Sequence, residues 1–238
     1  MKILVVIPCY NEEASIDFVV SRLDKHECNL DYIIINDCST DNTEYICRNR
    51  MYNYISLPIN LGIGGCVQTG YKYALENEYD IVIQHDGDGQ HDPSYFKDII
   101  NPILTGQADI VIGSRFLDNK GFRSTGLRRL GISFLSILIY LCSGIKIRDV
   151  TSGYRAVNKE YIKFFALRYA QDYPEPESIM DAGLNNAKIM EVPVIMNERK
   201  VGKSSINSFK SLYYMIKVSL AIILHRFGVR KKALKYER

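Results

Sequence analysis

Five short apolar runs dominate the first 115 residues, and segments with helical patterns or turn-forming residues separate them. The runs have the length and composition of buried strands and occupy residues 2–8, 31–35, 53–57, 81–83 and 108–113. Between the first two runs, apolar residues from Ile16 to Leu23 recur at the spacing of one helix face. This alternation predicts an α/β fold in which a mostly parallel sheet is sandwiched by helices.

Capping residues and apolar periodicity predict where the helices begin and end. Asn11 is the expected N-cap of the first helix, residues 39–42 cap a short second helix, and residues 65–77 form a third. The uncharged residues 130–145 are too few for a membrane span of about 20 residues, so we expect a core or interface helix there. Two later elements are expected, a strand at 188–194 and an amphipathic helix at 205–227.

Polar residues follow directly after the predicted strands. They are Tyr10, Asp37, Asn60, Asp86, Asp88 and Arg115. Because ligands bind at the carboxyl ends of the strands in open α/β sheets, one crevice can gather these side chains.

The segment Asp86–His91 places two carboxylates at positions i and i+2 with glycines around them. Carboxylate oxygens suit Mg²⁺ or Mn²⁺, which bind diphosphates, and the glycines let a phosphate approach the backbone. An EF-hand is excluded because the positions that need Gly and Glu hold His91 and Lys97. The segment therefore predicts a metal–diphosphate site, and a solvated turn is the alternative for the Asp-x-Asp pair alone.

The glycine-rich segment Gly62–Val67 fails two nucleotide-binding patterns. A dinucleotide fingerprint needs Gly where Val67 stands, and a P-loop needs Lys where Tyr71 stands. The glycines fit a tight loop that opens a helix, which either faces a phosphate or is a structural turn.

Charge and cysteine usage narrow the possible partners and compartments. Residues 1–120 carry 9 Lys and Arg against 18 Asp and Glu, whereas residues 121–238 carry 21 against 9. The basic half indicates an anionic partner: phosphate, nucleic acid or a membrane surface. The 6 cysteines form no Cys-x-x-Cys pair and no signal peptide is visible, which favours reduced thiols in the cytoplasm.

Several motifs together resemble the family 2 inverting glycosyltransferases, which have the GT-A fold. The motifs stand in the order Ile7–Glu12, Ile35–Asp41, Asn60–Gly62 and Asp86–His91. Three more narrow the resemblance to dolichyl-phosphate mannose synthases and other polyprenyl-phosphate glycosyltransferases: Gly113–Arg115, Asp149–Arg155 and Arg199–Ser205. The resemblance implies metal-dependent sugar transfer, with inversion, from a nucleoside-diphosphate sugar to a polyprenyl phosphate.

The resemblance also assigns site residues. The donor nucleotide sugar is expected at Pro8, Tyr10, Glu12, Asp37, Asn60, Gly62 and Asp86, and Mg²⁺ or Mn²⁺ at Asp86, Asp88 and Gln90. The acceptor phosphate is expected at Arg115, Arg129, Ser133, Arg199 and Ser204, and the catalytic group comprises Asp88, Arg115 and Asp149. Arginine suits a phosphate because its planar fork pairs two oxygens at once.

The implied organisation is a GT-A domain over residues 1–204, followed by an amphipathic interface helix and basic tail over 205–238. Within the domain, residues 1–115 are the nucleotide-sugar half and 116–204 the acceptor half. We expect a peripheral protein on the inner face of the cell membrane, held by the membrane surface, a small membrane protein or a second copy, with no nucleic-acid partner.

Three departures and two alternatives accompany the resemblance. Ile63 stands where many relatives have Lys, Asn36 where Asp is frequent, and Gly202–Ser205 departs from the usual Gly-x-Ser-Lys. One alternative is a sugar-hydroxyl acceptor, which would need a carboxylate base. Asp149 is the first candidate for that base, followed by Glu175 and Glu177. The other alternative is a non-catalytic subunit that binds nucleotide sugars.

Overall fold

Strands and helices alternate along the computed structural model, which describes residues 1–25, 30–118, 126–197 and 215–227. The strands are β1 (Ile3–Cys9), β2 (Asp31–Asn36), β3 (Tyr54–Ser56), β4 (Ile81–Gln84), β5 (Ile110–Ser114), β6 (Arg155–Asn158) and β7 (Ile189–Pro193). The helices are α1 (Ile16–Asp24), α2 (Thr43–Asn49), α3 (Gly62–Glu76), α4 (Phe96–Leu104), α5 (Gly126–Ser143), α6 (Lys159–Leu167) and α7 (Pro174–Leu184). A 3₁₀ turn at Pro93–Tyr95 precedes α4, and residues 215–227 are helical.

The described strands form one mixed sheet in the order β3-β2-β1-β4-β6-β5-β7. All neighbouring pairs are parallel except those of β6, which runs antiparallel to both β4 and β5. The predicted mostly parallel sheet is therefore confirmed. The five predicted strands of the first half, and the one predicted near residue 190, all lie within three residues of their expected positions.

Helices cover both faces of the sheet, as predicted. One buried cluster joins α3, α5, α6 and α7 to the sheet through residues such as Val6, Ile35 and Ile112. The other joins α1, α2 and α4 to the opposite face through Ile7 and Ile83. Because alternate residues of a strand point to opposite faces, the continuous apolar runs supply both clusters.

The predicted N-cap of the first helix is wrong. Helix α1 begins at Ile16, and Asn11 instead adopts a left-handed backbone with φ of 57°. Its side-chain oxygen accepts a hydrogen bond of 2.8 Å from the Thr40 backbone N–H. Asn11 thus joins the loop after β1 to the loop after β2, a role that Asn fills because its short side chain tolerates this conformation.

In the second half, helix α5 and the helix at 215–227 pack into one shared core, and both also expose apolar side chains. Helix α5 buries Ile132, Leu135 and Ile139 in the same cluster that contains Val218 and Ile222 of the helix at 215–227. The expected helix at 205–227 and the boundary after 204 lie largely outside the described residues, and the domain division stays a prediction.

All five cysteines in the described ranges are free thiols.

Candidate functional site

A cleft of about 420 Å³ opens at the carboxyl edge of the sheet, where β1, β2 and β4 end. Every residue expected to bind the donor lines it, together with Asp88 of the expected metal site. The lining residues are Pro8, Cys9, Tyr10, Glu12, Asp37, Asn60, Gly62, Ile63, Cys66, Asp86, Gly87 and Asp88. Residues that are distant in sequence therefore meet where the parallel strands predicted a crevice.

Asp37 lines the cleft and also holds the backbone of a neighbouring loop in place. Its carboxylate accepts a hydrogen bond of 2.7 Å from the Leu61 N–H, and Asn60 donates its side-chain amide to the Asp37 carbonyl at 3.0 Å. Burial raises the pKa of Asp37, while hydrogen bonds from the backbone N–H groups of Leu61 and Gly62 act in the opposite direction. The loop before α3 is thereby held against the end of β2.

The start of helix α3 lies next to the cleft and close to the backbone of residues 170–171. A glycine in its first turn permits this close approach. The Gly64 N–H donates to the Gln171 carbonyl at 3.1 Å. A Cβ at Gly64 would lie 2.1 Å from the Ala170 carbonyl oxygen and 2.3 Å from that of Gln171. These are backbone atoms, so the two segments would have to separate to admit a side chain.

We therefore expect Gly64→Ala to lower the free energy of unfolding by about 3 kcal/mol, the cost typical of overpacking against an unyielding neighbour. Urea titration followed by circular dichroism measures it. The matched control is Gly126→Ala at the start of α5, where a Cβ meets nothing within 4 Å among the described atoms. The control is expected to change stability by less than about 1 kcal/mol, since Ala favours a helix. Equal stability of the two variants would contradict the close approach.

The loop after β4 presents Asp86 and Asp88, and His91 supports it. The Asp86 N–H donates to His91 Nδ1 at 3.0 Å, and the Gln90 N–H donates to Asp88 Oδ1 at 3.0 Å. Burial lowers the pKa of His91 to about 4, so its ring is neutral near neutral pH and can accept that bond. The ring stacks on Tyr154 with centroids 4.5 Å apart. The sequence motif includes His91, but nothing in the sequence indicated this supporting role.

The charges around the cleft favour a cation there. Four carboxyl groups line it, those of Glu12, Asp37, Asp86 and Asp88, and none of the described lining residues is Lys or Arg. A diphosphate would be repelled unless a cation accompanied it. Mg²⁺ and similar ions commonly use one or two carboxylates plus substrate phosphates, so the Asp86/Asp88 pair fits such an ion.

Two further observations bear on the expected metal ligands. No group of three or more His, Cys, Asp or Glu side chains with metal-binding geometry occurs within the ranges that the structure describes. Gln90 donates its side-chain amide to the Asn197 carbonyl at 3.3 Å, so it ties the metal loop to the segment after β7. A metal at this site would therefore depend on the two aspartates, the Gln90 side-chain oxygen and oxygen atoms of the substrate.

Arg115, which follows β5, is held by Asp149 in a two-pronged ion pair. Arg115 Nε and Nη2 donate to the two Asp149 oxygens at 2.7 Å each, and the Arg115 backbone N–H adds a third bond at 3.0 Å. Asp149 is fully buried, and its own N–H donates to Glu191 at 2.8 Å. Asp149 thus lies behind Arg115 and orients it, which sets it apart from the carboxylates that line the cleft.

Phe116 contacts both Arg115 and a second arginine, Arg129. Its ring lies 5.5 Å from the guanidinium carbon of Arg115 and 5.7 Å from that of Arg129, at the start of α5. Ser133 follows Arg129 by one helical turn and is exposed. Three residues expected to bind the acceptor are therefore neighbours, and Phe116 is a contributor that sequence reasoning missed. Arg199 and Ser204 lie outside the described residues.

Comparisons with known proteins agree with this geometry. A family model described as "Glycosyl transferase family 2" matches residues 4–165. A UDP-N-acetylglucosamine–dolichyl-phosphate N-acetylglucosaminyltransferase of Methanococcus voltae is 31% identical over 93% of this chain and 98% of its own. An undecaprenyl-phosphate mannosyltransferase of Micrococcus luteus is 28% identical over 87% of this chain and 88% of its own.

A solved structure shares the fold. Glucosyl-3-phosphoglycerate synthase from Mycobacterium tuberculosis, crystallised with Mn²⁺, UDP-glucose and glycerol 3-phosphate, superposes with a TM-score of 0.72. It is 21% identical, and the match covers 95% of this chain and 80% of that one.

Proposed function

The chain belongs to glycosyl transferase family 2, and from that premise we propose that it moves a sugar, with inversion, from a nucleoside-diphosphate sugar to a polyprenyl phosphate. The observation that carries the proposal is an acidic cleft beside an arginine pair, since the charge of Asp86 in the cleft acts on Arg115. The cleft suits a metal-bound diphosphate, and Arg115 with Arg129 suits an anionic acceptor. The named activities of the Methanococcus voltae and Micrococcus luteus relatives support the same acceptor class.

In this proposal the donor occupies the cleft. Pro8, Tyr10, Glu12 and Asp37 would hold the base and ribose, with Asn60 and Gly62 at the loop that Asp37 fixes. Asp86, Asp88 and Gln90 would hold Mg²⁺ or Mn²⁺, which when bound neutralises negative charge on a leaving diphosphate. Ile63, exposed at the cleft, offers no charge for that purpose, so the aspartate pair carries more of the task.

The acceptor phosphate would lie against Arg115, Arg129 and Ser133, with Arg199 and Ser204 approaching from the later segment. A phosphate monoester is largely deprotonated near neutral pH, so it can attack without a strong base. The arginines would then orient it toward the anomeric carbon and offset its charge. Asp149 would act as a positioning residue, because both of its oxygens already receive hydrogen bonds from Arg115.

The decisive experiment offers purified protein a panel of UDP- and GDP-sugars with Mn²⁺ or Mg²⁺ and two acceptors, undecaprenyl phosphate and an oligosaccharide. We expect a lipid-linked sugar that forms only with metal present. Transfer to the oligosaccharide alone would replace the proposal with a polysaccharide glycosyltransferase. Donor binding without transfer to either acceptor would favour a non-catalytic subunit.

We also propose that the protein works at the inner face of the cell membrane. Within the described ranges, no helix combines the length and hydropathy that a membrane crossing requires. Helix α5 and the helix at 215–227, which approach each other where Gly131 faces Met215, nevertheless expose large apolar side chains. These are Leu130, Phe134, Ile137, Tyr140, Leu141, Ile216, Leu220, Ile223, Leu224 and Phe227. With the excess of basic residues after 120, they suit an anionic lipid surface, directly or beside a small membrane protein or a second copy.

A charge placed on this apolar face should detach the protein from lipid. The double variant Ile137→Glu/Leu141→Glu changes two exposed side chains one turn apart, so folding is preserved. We expect binding to anionic vesicles in a flotation assay to fall about tenfold or more. The control Tyr45→Glu/Leu104→Glu alters equally exposed residues on helices of the opposite sheet face. Equal loss of vesicle binding in the control would contradict this surface.

A further inference from the structure

Arg155 is the one charged residue of the Asp149–Arg155 motif that the proposed function leaves without a role. It opens β6, between β4 and β5, and only 1% of its surface is exposed. Nη1 donates to the Ser178 hydroxyl at 2.7 Å, and Nη2 donates to the Ser152 carbonyl at 2.6 Å. Removing a guanidinium from water is unfavourable, so its place in the core needs a reason.

The surroundings of Arg155 are polar and incompletely satisfied. Its Nε has no hydrogen-bond partner among the described residues. Neither side-chain amide atom of Gln84, which is paired in register with Arg155 across β4 and β6, has a partner there either. Unsatisfied buried polar groups are rare in folded proteins, and they concentrate where function imposes them.

The two hydrogen bonds of Arg155 lead to two different segments, one after Asp149 and one at the start of α7. Ser152 precedes Gly153, whose backbone packs so closely on the metal loop that a Cβ there would lie 3.1 Å from Asp86 Oδ2. Ser178 lies in the first turns of α7, three residues after Glu175, and its hydroxyl donates to the Glu175 carbonyl at 3.0 Å. The Arg155 guanidinium therefore joins the Ser152–Gly153 segment, which lies beside Asp86, to the start of α7.

The charges of Arg155, Asp86 and Arg115 all act on Glu175. It is partly buried, and burial raises its pKa. Among its neighbours the charge of Arg155 lowers the pKa most, Asp86 raises it and Arg115 lowers it. Glu175 thus interacts electrostatically with one carboxylate of the metal site and with one arginine of the acceptor site. A sugar passing from the first to the second would be next to it.

We propose that Arg155, through Ser178, is a positioning residue that holds the start of α7 so that Glu175 accepts hydrogen bonds from hydroxyl groups of the transferred sugar. The inference rests on the proposed function, because it places the sugar between the metal loop and Arg115. Carboxylates suit this task since they accept several hydrogen bonds and can strengthen them as charge develops on a sugar ring.

The test compares Arg155→Lys, Ser178→Ala and Glu175→Gln with the control Glu160→Gln, which alters an exposed carboxylate in the first turn of α6. We expect Arg155→Lys and Glu175→Gln to lower kcat by about 30-fold and Ser178→Ala by about 5-fold, as misplacement near a reacting centre does. The KM for the donor and the apparent Mn²⁺ affinity should change less than about twofold. The double variant Arg155→Lys/Glu175→Gln should be no slower than Glu175→Gln, because both changes remove the same contact.

Hydrogen exchange separates this inference from the proposed function, because it needs no turnover. Arg155→Lys and Ser178→Ala should speed amide exchange at residues 172–180, while exchange in α3 stays unchanged. Multiplicative losses in the double variant, or a rise in donor KM that matches the fall in kcat, would overturn the positioning role. Unchanged exchange at 172–180 would overturn it as well. Absence of transfer by the wild type, with exchange altered as expected, would instead refute the proposed transfer activity.

Discussion

Asp88→Asn is expected to abolish metal-dependent transfer, lowering kcat by about 10³-fold or more at any Mn²⁺ concentration. Asn keeps the shape of Asp but removes one of the two negative charges that the Asp86–Gly89 loop presents. The cleft already lacks Lys and Arg among its described lining residues, so no nearby cation replaces the lost metal contact. The measurement is the initial rate of sugar transfer at several Mn²⁺ and Mg²⁺ concentrations.

Two controls make this expectation specific to the metal site. Asp98→Asn removes an exposed carboxylate from α4 and should leave the rate unchanged. Chelation of metal from the wild type should stop transfer, and added Mn²⁺ or Mg²⁺ should restore it. Thermal unfolding of Asp88→Asn should stay near that of the wild type because the side chain is partly exposed. A variant that recovers wild-type rates at high Mn²⁺ would show that Asp88 is dispensable.

The first half of the fold was predictable because most of its strands contain an uninterrupted apolar run. Central parallel strands are buried on both faces, so β1, β2, β4 and β5 each contain an uninterrupted run of Ile, Val or Leu. The polar residues that follow these strands then had to share an edge of the sheet, which is why the donor residues could be grouped from the sequence. Asn11 misled the prediction because one residue type serves both as a helix cap and as a left-handed turn.

The second half was harder to predict because charged residues and prolines interrupt its apolar patterns. Strand β6 begins with the buried Arg155, so no apolar run indicated it. Helix α7 begins Pro174-Glu175-Pro176-Glu177, which is typical of a surface turn, yet proline suits the first positions of a helix. The partners of Arg115 and Arg129 depend on side-chain directions across segments, and spacing along the chain does not specify these.

The ion pair between Arg115 and Asp149 predicts a large and separable effect on the acceptor. Arg115→Lys keeps a positive charge but loses the fork that matches both Asp149 and a phosphate. We expect kcat/KM for polyprenyl phosphate to fall about 10²-fold, while donor binding, measured by titration calorimetry with the nucleoside diphosphate and Mn²⁺, stays within about twofold. The control is Arg148→Lys, at the exposed residue that directly precedes Asp149, and it should behave as the wild type.

Asp149→Asn should damage the same function by a different route. The fully buried Asn could no longer balance the guanidinium, and removing one partner of a buried pair costs about 3–5 kcal/mol of folding free energy. Arg115→Lys leaves a charge opposite Asp149 and should cost less, so the two variants separate lost orientation from lost stability. If Asp149 were instead the base for a hydroxyl acceptor, Asp149→Asn would lower kcat for that acceptor far more than Arg115→Lys does, while leaving the KM for polyprenyl phosphate unchanged. Urea titration together with both acceptor assays distinguishes these outcomes. The three bonds from Arg115 to Asp149 favour the positioning role.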